Sequence, residues 1–243
     1  MGSYQRFAKH YDLLMKDCDY EQWSQFLIKE LSDNGVQNFS KGLDLACGTG
    51  AITEKLSEYG FCMIGIDNSQ EMLSIAEEKK RKKSNPTYVL QDISNFNVPG
   101  QVDFITCICD GVNYLAEAKV KMMFYKAYAM LRDGGTFIFD ISSEYKLKEI
   151  IGNNVFICDD EEVSYIWTNK LHENKVIMSL TFFEKNSELY SRFSEDHVQY
   201  IYNCKQLETM LFSIGFSSVK TFDGYKQKSI GSKSKRILFE VIK

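Results

Sequence analysis

The sequence predicts an α/β chain: a seven-stranded, mostly parallel sheet with helices on both faces, carrying an inserted antiparallel β subdomain. Three observations predict it. Between residues 41 and 142, short apolar runs alternate with segments of helical spacing, the pattern of strands and crossover helices. A loop of small residues follows the first of those runs. Between about 153 and 202 the alternation gives way to long strands separated by polar turns. The expected organisation is an N-terminal helical lid over 1–40, a core from 41–142 and 203–243, and an antiparallel insertion over 143–202.

The elements follow in order. Trp23, Phe26, Leu27, Ile28 and Leu31 put one apolar face on a helix from Tyr20 that ends at Asn34-Gly35. Gly42–Cys47 reads as a strand, and Ile52, Leu56 and Tyr59 as a helix stopped by Gly60. Phe61–Ile66 is too short and too apolar for anything but a buried strand ending at Asp67. Ser69 caps a helix through Met72, Leu73, Ile75 and Ala76, which dissolves into the solvated run Lys79-Lys80-Arg81-Lys82-Lys83. Strands at Thr87–Leu90, Asp103–Cys109 and Thr136–Ile141, with a helix near Ala116–Leu131, continue the repeat through right-handed crossovers. The insertion supplies Val155–Ile157, Val163–Thr168, Val176–Phe183 and Leu189–Tyr202, with turns at Asn174 and Asn186-Ser187. A helix over Lys205–Ser213 and a closing hairpin of Ser218–Phe222 and Arg236–Ile242 complete the chain.

Composition bounds the function. The chain has 243 residues, 44% hydrophobic and 26% charged, so it can bury a core without disulfides or a structural metal. A net charge of −4 argues against a general nucleic-acid binder. Seven cysteines, an odd count without CxxC spacing, read as reduced thiols. The polar start of the chain lacks the apolar core of a signal peptide, and no run is long enough to span a membrane, so cytoplasmic residence is the expectation. The three histidines are too scattered to suggest a metal centre, and none is expected.

In an open parallel sheet the ligand lies beyond the carboxyl ends of the strands, where strand order reverses. The loop Asp44-Leu45-Ala46-Cys47-Gly48-Thr49-Gly50 is the candidate. Its small residues admit a ligand to the backbone, and the following helix offers free N–H groups. Asp67, ending the second strand, is placed to accept hydrogen bonds from both hydroxyls of a ribose. A dinucleotide site requires a third glycine where this chain has Thr53, whose bulk would crowd helix against strand. Asp44 opposes a pyrophosphate and suits an ammonium group. The loop therefore prefers an amino acid to a diphosphate.

The run Leu43–Gly50, with Gly65-Ile66-Asp67-Asn68-Ser69-Gln70-Glu71-Met72-Leu73, Gln91-Asp92-Ile93 and Leu131-Arg132-Asp133-Gly134-Gly135, resembles the ordered motif set of class I S-adenosylmethionine-dependent methyltransferases, which share a Rossmann-like fold. The resemblance implies S-adenosyl-L-methionine as cofactor and S-adenosyl-L-homocysteine as product. It implies that Gly48 and Gly50 flank the methionine moiety, that Ala46 stands for the first loop glycine, and that Asp67 holds the ribose. It further implies that Met72 packs near the adenine and that Asp92 with the Ile93 amide reads its edge. Asn68 and Cys109 are further candidate cofactor contacts. A narrower resemblance, carried by Tyr11-Asp12, Asp19-Tyr20-Glu21-Gln22-Trp23 and the insertion, is to small-molecule N-methyltransferases of the deoxysugar-amine type. It implies a small-molecule acceptor, an amine among the candidates, with the insertion covering it or pairing two subunits as a homodimer. Some members have a histidine where Asn113 stands.

Methyl transfer from a sulfonium is an in-line displacement, and positioning can supply roughly 7–11 kcal/mol of its barrier. Tyr11, Trp23 and Tyr114 are candidate aromatic walls for the sulfonium. Tyr11, His197 and Asn113 are the candidate catalytic residues, each with a plainer alternative. Tyr11 is either a working residue or a lid packed on the core. His197 is either a base for the acceptor or a solvent-facing residue of the inserted sheet. Asn113 either lines the acceptor pocket or satisfies backbone groups. Cys47, Cys107 and Cys109 read as buried packers, and Lys226–Arg236, with five basic residues, as a solvated loop that could meet a phosphate. The rival functions are a non-catalytic binder of the same nucleoside and a nicotinamide-dependent dehydrogenase.

Overall fold

A computed structural model describes residues 7–81 and 85–243; residues 1–6 of the expected lid, and 82–84, which include the last two of the basic run, lie outside the described residues. Two helices, α1 (Phe7–Leu14) and α2 (Tyr20–Asp33), precede the alternating region. That region runs β1 (Lys41–Leu45), α3 (Ala51–Tyr59), β2 (Cys62–Asp67), α4 (Gln70–Lys79), β3 (Thr87–Leu90), β4 (Val102–Cys107), α5 (Glu117–Met130) and β5 (Leu131–Ser142). The insertion holds β6 (Val155–Cys158), β7 (Val163–His172), β8 (Lys175–Asn186) and β9 (Leu189–Tyr200). The chain ends with α6 (Cys204–Ile214), β10 (Ser218–Asp223) and β11 (Arg236–Ile242).

The main sheet has seven strands in the order β10-β11-β5-β4-β1-β2-β3. Its pairs are parallel except around β11, which runs antiparallel to both β10 and β5. The closing hairpin is therefore built into the sheet, its second strand lying between the first and β5. Both faces are covered, which is why the strands read as continuous apolar runs. On one face α2 and α3 pack Phe26, Leu27, Leu31 and Leu56 against Phe61, Phe104 and Ile138. On the other, Phe124, Leu207 and Leu211 of α5 and α6 pack with Phe137 and Phe139. Each such side chain contributes about 1.5–3 kcal/mol by leaving water. α2 thus belongs to the core packing, and within the expected lid only α1 lies apart from it.

The inserted strands form a separate antiparallel sheet in the order β6-β7-β8-β9. Period-two burial along β8 turns Val176, Met178, Leu180 and Phe182 inward, where they cluster with Met72 of α4, Leu147 and Ile151. Three elements escape the sequence reading: α1, a single 3-10 turn at Gly111–Tyr114 and a π-helical turn at Lys146–Ile151. Each is too short to develop a periodic apolar stripe. Among the described residues, no helix is long and apolar enough to cross a membrane.

Candidate active site

β1 has β4 on one side and β2 on the other, so strand order reverses at β1 and a crevice opens above its carboxyl end. Two loops meet there. After β1, Ala46, Gly48 and Gly50 all take positive φ, +55°, +54° and +80°. The two glycines have different reasons. A Cβ on Gly48 would meet open space, which leaves that backbone free for a ligand, whereas a Cβ on Gly50 would collide with the Tyr88 hydroxyl beneath the loop. After β4, Cys109 and Asp110 follow each other at φ +66° and +54°, a left-handed pair costing about 1–2 kcal/mol per residue without glycine. Tyr11, Tyr20, Asp44, Ala46, Gly48 and Cys109 line the cleft between these loops.

Three acids of the motif set sit differently. Asp44 is 2% exposed, and its carboxylate accepts from Thr53 Oγ1 at 2.5 Å and Thr106 Oγ1 at 2.8 Å. Burial outweighs those bonds and raises its pKa to about 6. Thr53 does not crowd the helix against the strand as its bulk suggests; it is fully buried and serves as a donor to Asp44. Asp67 accepts from the backbone N–H of Gly48 and of Ser69, both at 2.9 Å, and so ties the end of β2 to the glycine loop. Burial raises its pKa against those N–H bonds. Asp92 lies apart, its carboxylate held by Ser94 and, at 2.9 Å, by Lys119 of α5; those bonds outweigh partial burial and lower its pKa.

Met72 and Ile93 are buried, Met72 with the inserted sheet and Ile93 in the core, while Asn68 is exposed. Neither Met72 nor Asp92 lines the cleft around Gly48. Gly50 also stands outside that lining, because Tyr88 occupies its face.

Asn113 resolves toward its plainer alternative. Fully buried, its amide donates to the carbonyls of Tyr200 at 2.9 Å and Ser142 at 3.4 Å and accepts the Ser142 N–H at 2.9 Å. It pins the 3-10 turn to β5 and β9. His197 is 6% exposed, not solvent-facing, with Tyr114 edge-on at 6.1 Å and Glu195 at 3.7 Å. Burial lowers its pKa, which favours the neutral ring. Tyr11 is held among Tyr20, Cys109, Tyr114 and Asp110, and burial pushes its phenol well above its usual range. Trp23 is no wall of the cleft: it stacks on Tyr225 at 4.5 Å. Burial likewise pushes the thiols of Cys47, Cys107 and Cys109 up, against a nucleophilic role.

α1 links the glycine loop and α4 to the inserted sheet. Its Asp12 accepts from Thr49 Oγ1 at 2.7 Å in the glycine loop and pairs with Lys79 of α4. Its His10 meets Glu184 of β8 at 3.2 Å and stacks on Phe193 of β9.

A cluster of charged and polar side chains gathers around the second loop. Asp140 of β5 and Asp110 share Arg236 of β11, at 2.8 and 2.9 Å. Tyr225 donates to Asp140, and Gln199 of β9 donates to Asp110 at 2.6 Å. Burial opposes ionisation of Asp110, but Arg236 and Lys146 outweigh it and hold its carboxyl below the usual range. The signal in the sequence is an acid inside the apolar run Thr136–Ile141, the same oddity that marks Asp44 in β1.

A crevice with bare backbone at Gly48, an acid at its floor and phenol rings at its walls suits a nucleoside joined to an amino acid through a sulfonium better than a diphosphate. That places the fold and site among class I S-adenosylmethionine-dependent methyltransferases. Residues 43–135 match the family described as a methyltransferase domain. The Bacillus subtilis (strain 168) protein YqeM, which carries a methyltransferase name, is 34% identical over 99% of this chain and 97% of its own. The crystal structure of an S-adenosylmethionine-dependent methyltransferase from Clostridium acetobutylicum ATCC 824 is 39% identical, with a TM-score of 0.90 and 99% of each chain covered. The fold is shared at 17% identity by the sugar N-methyltransferase KedS8 from Streptoalloteichus sp ATCC 53650, with a TM-score of 0.79 over 96% of this chain and 92% of that one. The chain belongs to the S-adenosylmethionine-dependent methyltransferases, which sets aside both the dehydrogenase and the non-catalytic binder.

Proposed function

We propose that the methyl acceptor is a small-molecule amine, bound between the 3-10 turn and the inner face of β9, on the acceptor side of the cleft. S-adenosylmethionine, when bound, supplies a methyl group on a sulfonium for in-line displacement. In this reading Gly48 admits it to the backbone, Asp67 holds the ribose, Asp44 meets the ammonium and Asp92 with Ile93 holds the adenine edge. Tyr11 and Tyr20 wall the sulfonium, where an aromatic face is worth about 0.5–2 kcal/mol. His197 accepts the proton that an ammonium acceptor must lose.

The observation that carries the reading is His197: a ring kept neutral by burial, beside Glu195 and Tyr114, is what deprotonation of an amine requires. The likeness of the fold to a sugar N-methyltransferase supports it. A methyl-transfer screen over amines, sugars, acids and tRNA, read as adenosylhomocysteine release, tests it. Turnover of amines is expected, falling on the acid side of the ordinary histidine range as His197 protonates. His197→Gln should lower amine turnover about 100-fold or more and abolish that acid limb. Turnover confined to carboxylates or tRNA overturns the reading.

A further inference from the structure

Cys109 of the left-handed Cys109–Asp110 turn lines the cleft, and of the two residues only Asp110 is of a type that takes this shape with any ease. What holds it is Asp140, whose carboxylate accepts the N–H of Cys109 at 3.3 Å and of Asp110 at 2.5 Å. Asp140 is itself fully buried, and a buried carboxylate needs a cation and further donors. Arg236 and the Tyr225 hydroxyl provide them. The second arm of the guanidinium reaches Asp110, whose other oxygen takes Gln199. The guanidinium carbon lies 5.2 Å from the centre of the Trp23 ring. One planar fork thus joins β11 to the ends of β4 and β5 and, through Asp110, to β9. A lysine would bring the charge without the fork.

We propose that Arg236 is a positioning residue for methyl transfer: forked between Asp140 and Asp110, it holds the Cys109–Asp110 turn in the shape that the shared wall of the cofactor and acceptor sites requires. Its role on the acceptor side rests on the reading given under Proposed function; its role at the cofactor wall does not. Without Arg236 two buried acids face each other, and one takes up a proton. The groups facing them are Cys107 of β4, Cys109 on the turn, Tyr225 in the β10–β11 loop, Lys146 on the π-helical turn, and Tyr11 and Cys18 from the N-terminal segments. As pH rises and that proton leaves, repulsion opens the turn.

The test uses the full chain with S-adenosylhomocysteine as probe. Calorimetry near pH 6 and near pH 8 reports the cleft, and the rate of Cys109 alkylation by iodoacetamide, read by peptide mass spectrometry, reports the turn. Arg236→Met should bind the probe about tenfold or more weakly near pH 8 and recover part of that loss near pH 6, with Cys109 alkylated about tenfold faster. Arg236→Lys should fall between it and the parent. A folded Arg236→Met variant with parental affinity at both pH values and a parental alkylation rate overturns the clamp. Should that variant not fold, Arg236→Lys and Tyr225→Phe carry the test: faster Cys109 alkylation supports the clamp and an unchanged rate overturns it. Failure of the parent chain to bind the probe would reject the cofactor site, while the alkylation arm still decides the clamp. A clamp that holds without amine turnover rejects the acceptor reading alone.

Discussion

The two walls of the cleft are built by different means. On the glycine-loop side most partners lie near in sequence: Asp67 grips Gly48 and Ser69, and Asp44 takes a hydroxyl from Thr53 nine residues along, with Thr106 of β4 its distant donor. On the side of the Cys109–Asp110 turn the parts come from all over the chain: Asp110, Asp140, Gln199, Tyr225 and Arg236 converge from five segments. The first wall needs β1, β2 and their loops, with β4 alongside to bring Thr106 to Asp44. The second exists only when β5, β9 and β11 have all reached their places, so it reports on the assembled molecule.

That difference sets the expected size of each perturbation. Asp140→Ala should be the most damaging, because it leaves Arg236 buried opposite one acid and releases the turn's N–H groups; a loss of about 3–5 kcal/mol in urea unfolding is expected. A loss below 1 kcal/mol would break the distinction between a locally and a globally built wall. Asp67→Ala should act on the ligand more than on the fold. Removing a charged acceptor costs about 1.5–3 kcal/mol, so adenosylhomocysteine affinity should fall roughly 10- to 150-fold by calorimetry with the fold retained.

Asp44 gives a pH signature with opposite signs for ligand and fold. Protonation removes the charge proposed to meet the ammonium, so adenosylhomocysteine affinity should weaken as pH falls through about 6, and Asp44→Asn should flatten the profile. In the free protein a raised pKa means that the folded state binds the proton more tightly than the unfolded one. That stabilisation is full below the ordinary carboxyl range and is lost as pH rises through about 6, to the extent of roughly 3 kcal/mol, readable as a shift in urea midpoint. Asn113→Ala should have the smallest effect, a destabilisation of about 1–3 kcal/mol with adenosylhomocysteine affinity unchanged, since its amide serves backbone groups alone.

Legibility in the sequence follows the same division. Strand–helix alternation, the glycine loop, the Ser69 cap and the period-two strands of the insertion are local patterns, and the structure has each of them close to its expected bounds. The burial of His197 was hidden because alternation along β9 assigns two faces without saying which one meets the core. Trp23 misled because an aromatic beside a motif resembles a pocket wall, whereas its partner, Tyr225, lies far along the chain. Arg236 sat in a basic stretch that reads as a solvated loop, and only the placement of β11 beside β5 turns that one residue inward. Asp110 stands in the same segment as the candidate Asn113, but its link to Arg236 spans 126 residues and has no local signature.

Thr53 has a consequence for how such a crevice can change its ligand. Replacing it with glycine would restore the third glycine of a dinucleotide fingerprint, yet the same change would strip a donor from a carboxylate sealed under the loop. Interconversion between the two ligand types is therefore a coupled exchange at positions 44 and 53, since glycine at 53 alone leaves the Asp44 carboxylate one donor short.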